Sequence, residues 1–456
     1  MPEMTPLTLL VLAVGGVGAA VVVLMMLRSA RAAMLVLGAM VFLSALGVPK
    51  DQLGRFYSTW LLPLQTYRSE LFMALGGMLV LGVAGHFGKV TVRNIPGQAL
   101  VFVAIGTYAA LMRIFHEGIE SGLQSLLFVG LTVVPMLIII PALLRTWDDL
   151  LFALRGLVIA GVMWTGATAI QFALNRSFVI MGGENRFTGL TGNPQHAATY
   201  LAPMAIAAVW LVLNDTLRKH RWFFIVAAGF FVLMLAWSGS RTGALMFVVG
   251  LTAVLYARLG RAVFILPVLG GAVYGLVQGA IALGIDLGLE RLVSTTNTRD
   301  IVFKTLLADG LSSPLLGVGI KETRGSENSY LLAFAAYGVG MVLMVVLLMF
   351  VSLIICIKVF SARSQLEGWR KYLCDLVLGF NAMFFIGAFF EGYIMARVAP
   401  QVIYIMLFSA IASRMIELVQ EESWRDQYAA VDDEPPTLYA DYTDPGVTDP
   451  RTSAQG

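Results

Sequence analysis

Residues 331–357 read LLAFAAYGVGMVLMVVLLMFVSLIICI, 27 positions without a charged side chain. An α-helix needs about 20 apolar residues to cross a hydrocarbon core about 30 Å thick, so this run is long enough to span a membrane. It is not alone. Other apolar runs lie at roughly 6–27, 32–48, 71–86, 96–112, 125–144, 150–173, 197–214, 222–237, 242–257, 262–282, 374–392 and 399–415, which makes thirteen candidate spans. Barrel strands would alternate over about 10 residues, so these runs predict helices. The expected fold class is an all-α polytopic membrane protein, a bundle of about 12–13 transmembrane helices.

Composition agrees with this reading. The 456 residues are 58% apolar and 13% charged, whereas soluble domains average about 45–50% and about 25%. A soluble enzyme, a disordered scaffold and a nucleic-acid binder are excluded. The formal charge of +3 is too small to attract an anionic polymer. Two cysteines, Cys356 and Cys374, leave no disulfide framework. The first run follows Glu3 with no basic n-region and exceeds the h-region of a signal peptide, so it reads as a retained span.

Orientation follows from the loops. Arg28, Arg31, Lys89, Arg93, Arg145, Arg218, Lys219, Arg221, Arg258, Arg261, Lys358, Arg363, Arg370 and Lys371 sit in short loops on one side, which is expected to be cytoplasmic. The opposite side carries Asn175–His196 and a long segment from about 284 to 327, a length that usually signals function. In that segment Asn297 can cap an amphipathic helix. Ile301, Val302, Leu306 and Leu307 would face the membrane, Asp300, Lys304 and Thr305 would face outward, and Asp309-Gly310 would close it. Two domains are expected: a transmembrane unit over 1–415 and a disordered acidic cytoplasmic tail over 416–456. There is no internal repeat, Walker loop, dinucleotide fingerprint or metal-ligand spacing, so neither a cofactor nor a metal is expected.

Three arginines lie at membrane-edge positions of the outer face in Gly-, Ser- or Thr-rich settings. They are Arg186 in the stretch 184–194, Arg241 in Ser238-Gly239-Ser240-Arg241-Thr242-Gly243, and Arg299 at the start of the amphipathic helix. Ionisable groups beside hydrocarbon are expensive and mark function, although a single interfacial Arg more often only snorkels to headgroups. Guanidinium groups flanked by backbone N–H donors suit a diphosphate. A fourth constellation is Arg324-Gly325-Ser326-Glu327-Asn328-Ser329-Tyr330. Ser326 as N-cap would put Glu327 and Asn328 in the first helical turn, where the helix dipole and Arg324 favour an ionised carboxylate able to act as a general base. The plainer reading is a Glu that merely favours a helix start.

Taken in order, Arg186-Phe187-Thr188-Gly189-Leu190 with Gly192-Asn193-Pro194, Ser238–Ala244, Ser313-Pro314-Leu315-Leu316-Gly317-Val318-Gly319, and Glu327-Asn328-Ser329-Tyr330-Leu331 with Tyr337-Gly338-Val339-Gly340 resemble the O-antigen ligase and O-antigen polymerase superfamily. The resemblance covers roughly 186–340. It implies metal-independent, inverting glycosyl transfer at the periplasmic face of a bacterial inner membrane. The donor would be a polyprenyl-diphosphate-linked oligosaccharide held by Arg186, Arg241 and Arg299, and the partners would be a glycan acceptor, the bilayer and other polysaccharide-assembly proteins. Asn193, Arg324, Asn328, Tyr330 and Glu391 are expected to line the substrate cleft. The ligases of this superfamily carry a His as base directly before the Asn of the Asn-Ser-Tyr-Leu stretch. Here that position is Glu327, which favours a polymerase over a ligase acting on lipid A-core or protein.

A transporter or flippase of lipid-linked glycans is the rival reading, with Glu391 as its best support. It would place charges near the midplane and show two related halves. The arginines instead cluster at one face, and no half is duplicated.

Overall fold

The computed structural model describes residues 32–47, 60–84, 95–181, 185–214, 220–265, 299–395 and 398–432, with a few isolated positions besides. The main helices are α1 (Ala33–Ser44), α2 (Arg68–Ala84), α3 (Gly97–Glu117), α4 (Ile119–Leu143), α5 (Trp147–Leu174), α6 (Pro194–Asn214), α7 (Arg221–Trp237), α8 (Arg241–Leu259), α9 (Arg299–Ser312), α10 (Ser329–Ala362), α11 (Gly368–Phe390) and α12 (Pro400–Asp432). Strands β1 (Ile180–Met181) and β2 (Arg186–Phe187) form a two-stranded antiparallel ribbon. Seven described helices are long and apolar enough to cross a membrane: α3, α4, α5, α6, α10 and α11, with the Pro400–Trp424 part of α12. The chain is a helical, multi-pass membrane protein. The expected spans at 6–27 and 262–282 fall almost wholly outside the described residues.

Helix α6 is the hub. Nearly every side chain from Ala197 to Leu211 is buried, including Tyr200 and Trp210, and α5, α7, α8 and α11 pack around it. Small residues permit that density: a Cβ on Gly379 of α11 would sit 2.8 Å from Ala253 Cβ of α8, and one on Gly250 would strike Met383. In lipid, where apolar burial gives helices no net drive to associate, such close backbone approach supplies the packing energy. Within α4, residues Val129–Val133 form a π-turn. Pro135 has no N–H to offer the Leu131 carbonyl, so the ladder must shift there, and Gly76 of α2 packs against that carbonyl.

The chain junctions fall into two layers. One layer holds Arg145, Asn214, Arg258, Arg370 and Arg414: Arg414 donates to the Arg145 carbonyl at 2.7 Å, Trp147 Nε1 and Arg370 both donate to Glu422, and Arg258 donates to Asn214 Oδ1. The other layer gathers β1–β2, the α7–α8 turn, α9, the approach to α10 and the α11–α12 connection.

Three expectations are corrected. The acidic segment expected to be disordered from 416 is helical to Asp432, because Arg414 pairs Glu417 and Glu421 at 2.8 and 2.9 Å and Arg370 pairs Glu422; residues 433–456 lie outside the described set. Helix α9 does not close at Asp309-Gly310 but runs on to Ser312, since Gly310 packs directly under the Phe334 ring of α10. Its apolar residues also split. Leu306 is buried and Val302 packs toward Gly325, whereas Ile301 and Leu307 are exposed, because a 3.6-residue period groups 302, 306 and 309–310. Asn297 lies outside the described residues.

The third correction concerns the start of α10. Its cap is Asn328, at φ 70°, whose side chain accepts from the Tyr330 and Leu331 amides at 3.0 Å; Ser326 is two residues too early. Farther along, Gly338 (φ 75°) interrupts the helix and frees backbone groups on both sides. Val318 and Gly319 amides donate to the Ala335 and Ala336 carbonyls, and the Val339 amide donates to the Pro314 carbonyl. The two Gly-containing motifs thus form one junction. Gly338→Ala should cost at least about 1–2 kcal/mol from φ alone, and its Cβ would meet the Leu315 carbonyl at 2.3 Å. A reduced thermal midpoint and less monodisperse protein in detergent are the expected readout; an unchanged midpoint would show that the break is not required.

Candidate functional site

Arg186 and Arg241, 55 positions apart in sequence, belong to one structural unit. The turn after α7 is held by Ser238 Oγ donating to the Leu235 carbonyl at 2.6 Å and by the Ser240 amide donating to Ser238 Oγ at 3.2 Å. Ser240 then caps α8 by accepting from the Gly243 amide at 3.3 Å, which makes Arg241 the first residue of that helix. Gly239, at φ 60°, supplies the left-handed step that a Cβ would oppose. Arg186, buried on β2, donates from Nε to the Ser238 carbonyl at 2.8 Å, and Trp237 Nε1 donates to the Asn185 carbonyl at 2.9 Å. The ribbon and the turn are therefore stitched together across two helices, with Phe187 and Trp237 in ring contact at 5.6 Å.

The adjoining residue of α8, Thr242, joins a second group. Arg299, the first residue of α9, donates from Nη2 to Thr242 Oγ1 at 2.9 Å and to Glu391 Oε1 at 3.1 Å. Its Nε lies 3.2 Å from Glu327 Oε2, an ion pair without hydrogen-bond alignment. The guanidinium also stands 5.1 Å from the centre of the Phe390 ring. Thr242 Oγ1 donates in turn to Glu391 Oε1 at 3.4 Å. One arginine thus bridges two carboxylates from different helix ends. Their exposure differs: the Glu327 side chain is 28% exposed and that of Glu391 only 7%. Glu327 is the more accessible of the two carboxylates.

Glu391 lies just past the end of α11, outside the span. Burial pushes its carboxyl up to about 7, against the pull of Arg299; Glu327 adds to the rise and the Thr242 hydrogen bond opposes it. A carboxyl raised on folding binds its proton more tightly in the folded state. The linked stability is therefore full below the usual value of 4.5 and is lost as pH rises through about 7. The thermal midpoint of the solubilised protein should fall between about pH 5 and pH 8, and Glu391→Gln should flatten that slope. A slope of equal size in the variant would place the titration elsewhere.

The remaining expected site residues have local duties. Asn193 accepts from the Gln195 and His196 amides and so caps α6. Asn328 caps α10. Tyr330 donates its hydroxyl to the Phe385 carbonyl at 2.9 Å and lines an apolar groove of about 520 Å³ with Met349, Phe385, Ile386, Phe389 and Phe390. Arg324 was expected beside Glu327; it donates from Nε to Asp309 Oδ1 at 3.1 Å instead, and the pairing holds the Asp309 carboxyl below its usual range. Arg299 was expected on a diphosphate and is committed to carboxylates. The sequence alone gives Thr242 and Ser329 no role. Their only sequence signal was adjacency to Arg241 and Asn328.

A separate charged group ties the 313–328 segment to α3. Lys321 Nζ lies 3.1 Å from Glu117 Oε2, and His116 Nε2 lies 3.0 Å from the Leu316 carbonyl. Among the described residues no cluster of His, Cys, Asp and Glu could hold a metal ion.

Comparison with known proteins gives no matching family model and no matching curated relative.

Proposed function

We propose that the chain is a bacterial surface-polysaccharide polymerase that joins polyprenyl-diphosphate-linked glycans by inverting, metal-independent glycosyl transfer. The observation that carries the reading is the convergence, at one end of a membrane-spanning bundle, of the Arg186–Arg241 unit with an Arg299-bridged pair of carboxylates. A charged lipid substrate needs this combination: cations for its diphosphate, a carboxylate for the attacking hydroxyl, and apolar helices beside both.

In the proposed reaction the acceptor hydroxyl oxygen attacks the anomeric carbon of the donor sugar. The bond from that carbon to the diphosphate oxygen breaks, and its electron pair leaves with the diphosphate. Glu327 takes the hydroxyl proton. The diphosphate is already a good leaving group, so a general acid is not required. Arg186 and Arg241 neutralise the charge that builds on the departing phosphate, in a setting poor in water.

The test is reconstitution of the purified protein in liposomes with a polyprenyl-diphosphate-linked repeat unit. A ladder of lengthened glycans that survives EDTA supports the reading; no ladder with any such donor, or one that needs a divalent cation, defeats it. Ligase activity would instead yield one transfer to a lipid or protein acceptor.

Orientation rests on the density of Lys and Arg in the opposite loops. With Cys356 and Cys374 replaced, single cysteines at positions 184 and 322 should react with an impermeant maleimide in cells whose inner membrane is intact. Labelling only after permeabilisation would invert the topology and remove the mechanism.

A further inference from the structure

We infer that Glu391 is the positioning residue of this site: acting through Arg299 and through the backbone around Glu327, it sets the direction in which the Glu327 carboxylate faces. The inference rests on the proposed role of Glu327 as base.

The geometry makes Glu391 the meeting point of four helices. Its carboxylate accepts from Thr242 of α8 and Arg299 of α9, and its own position is the end of α11, where its amide donates to the Gly387 carbonyl at 2.9 Å. Its backbone carbonyl accepts from Ser329 Oγ of α10 at 2.6 Å, and the same hydroxyl accepts from the Ile394 amide at 3.2 Å. Ser329 lies two residues after Glu327. On the other side, Gly392 is pressed against Ser326, the residue before Glu327: a Cβ at Gly392 would lie 2.0 Å from the Ser326 carbonyl oxygen. Glu327 is therefore held on both flanks by the Glu391–Gly392 backbone and at its carboxylate by the arginine that Glu391 orients. Asn328, at φ 70°, turns the chain sharply between those anchors.

The division of labour follows from burial and donor geometry. Arg299 is a planar fork, and fixing Nη2 on Glu391 and Thr242 fixes the direction of Nε toward Glu327 Oε2. That oxygen is buried, which leaves the other Glu327 oxygen for substrate. Buried Glu391 cannot meet substrate in this arrangement. The groups facing it are Arg299 and Thr242, Glu327 across the guanidinium, and Tyr393 from the following turn, whose hydroxyl donates to the Phe384 carbonyl.

The experiment compares wild type, Glu391→Gln and Arg299→Lys in liposomes, with hydrogen exchange on the same preparations. Misplacing the base by about 1 Å should cost about 10²-fold in maximal rate and leave the apparent KM for donor nearly unchanged. Wild-type activity should rise as Glu391 ionises near pH 7, and Glu391→Gln, which mimics the protonated group, should lose that rise. Arg299→Lys should reproduce the rate loss, because an ammonium keeps the charge without the fork. Amides of residues 327–329 should exchange faster in Glu391→Gln, with the core of α6 unaffected. Full activity in Glu391→Gln, or a retained pH rise with unchanged exchange, overturns the inference. If wild type transfers no glycan, the polymerase reading fails and the exchange result alone decides whether Glu391 positions the Glu327 segment.

Discussion

Glu327→Gln should lower glycan transfer by about 10²–10⁴-fold, the range of a general-base contribution, and leave donor binding largely intact. The amide keeps the size of the side chain but cannot accept the proton of the attacking hydroxyl. It also weakens the ion pair with Arg299 Nε, while the Asn328 cap and the Ser329 hydrogen bond to the Glu391 carbonyl still anchor the segment. Glu327 precedes the first turn of α10, and Asn328 does the capping, so a purely structural Glu327 would leave activity almost intact on substitution. The assay is the accumulation of polymer against unpolymerised lipid-linked units, at matched protein levels. Near-normal polymer in Glu327→Gln cells would remove Glu327 from the mechanism.

Arg241→Lys should cost about 10²–10³-fold, the scale of losing one electrostatic contact to the developing charge in a water-poor site, and should weaken donor binding as well. The lysine retains the charge but not the bidentate fork that fits a diphosphate. Arg241 is a better probe than Arg186 on structural grounds. Arg186 is buried and donates to the Ser238 carbonyl, so its removal also loosens the turn that carries Arg241. The cap of α8 depends on Ser240 and Gly243 rather than on the Arg241 side chain, so the substitution leaves the helix start in place. Donor binding and single-turnover transfer, measured separately, distinguish the two roles. Full activity in Arg241→Lys would defeat the diphosphate clamp.

The apolar runs alone determined that the chain crosses a membrane as helices. A run such as 331–357 has no other stable environment, and in hydrocarbon every backbone group must be paired within its own segment. The position of Arg241 and Glu391 at helix ends was equally legible, because the end of a hydrophobic run marks the end of a helix. Where the reading failed, the signals were local but ambiguous. Ser326 and Asn328 are both good caps, and only the folded backbone, with Asn328 at positive φ accepting from the Tyr330 and Leu331 amides, selects the second. Glu417, Glu421 and Glu422 looked like a solvated tail because their partners are not all neighbours. Arg414 lies within a helical turn or two, but Arg370 comes from the start of α11.

The partnerships of the site were decided by the tertiary structure. Arg299 could have served a diphosphate; it lies instead between Glu327 and Glu391, the latter 92 positions away, because α8, α9, α10 and α11 end in the same layer. Arg324, three positions from Glu327, turns to Asp309. Helix periodicity and capping act over one or two turns and can be read from composition. Which charged ends meet depends on how small residues such as Gly250, Gly379 and Gly392 let helices approach, a property of the assembled bundle that no single segment encodes.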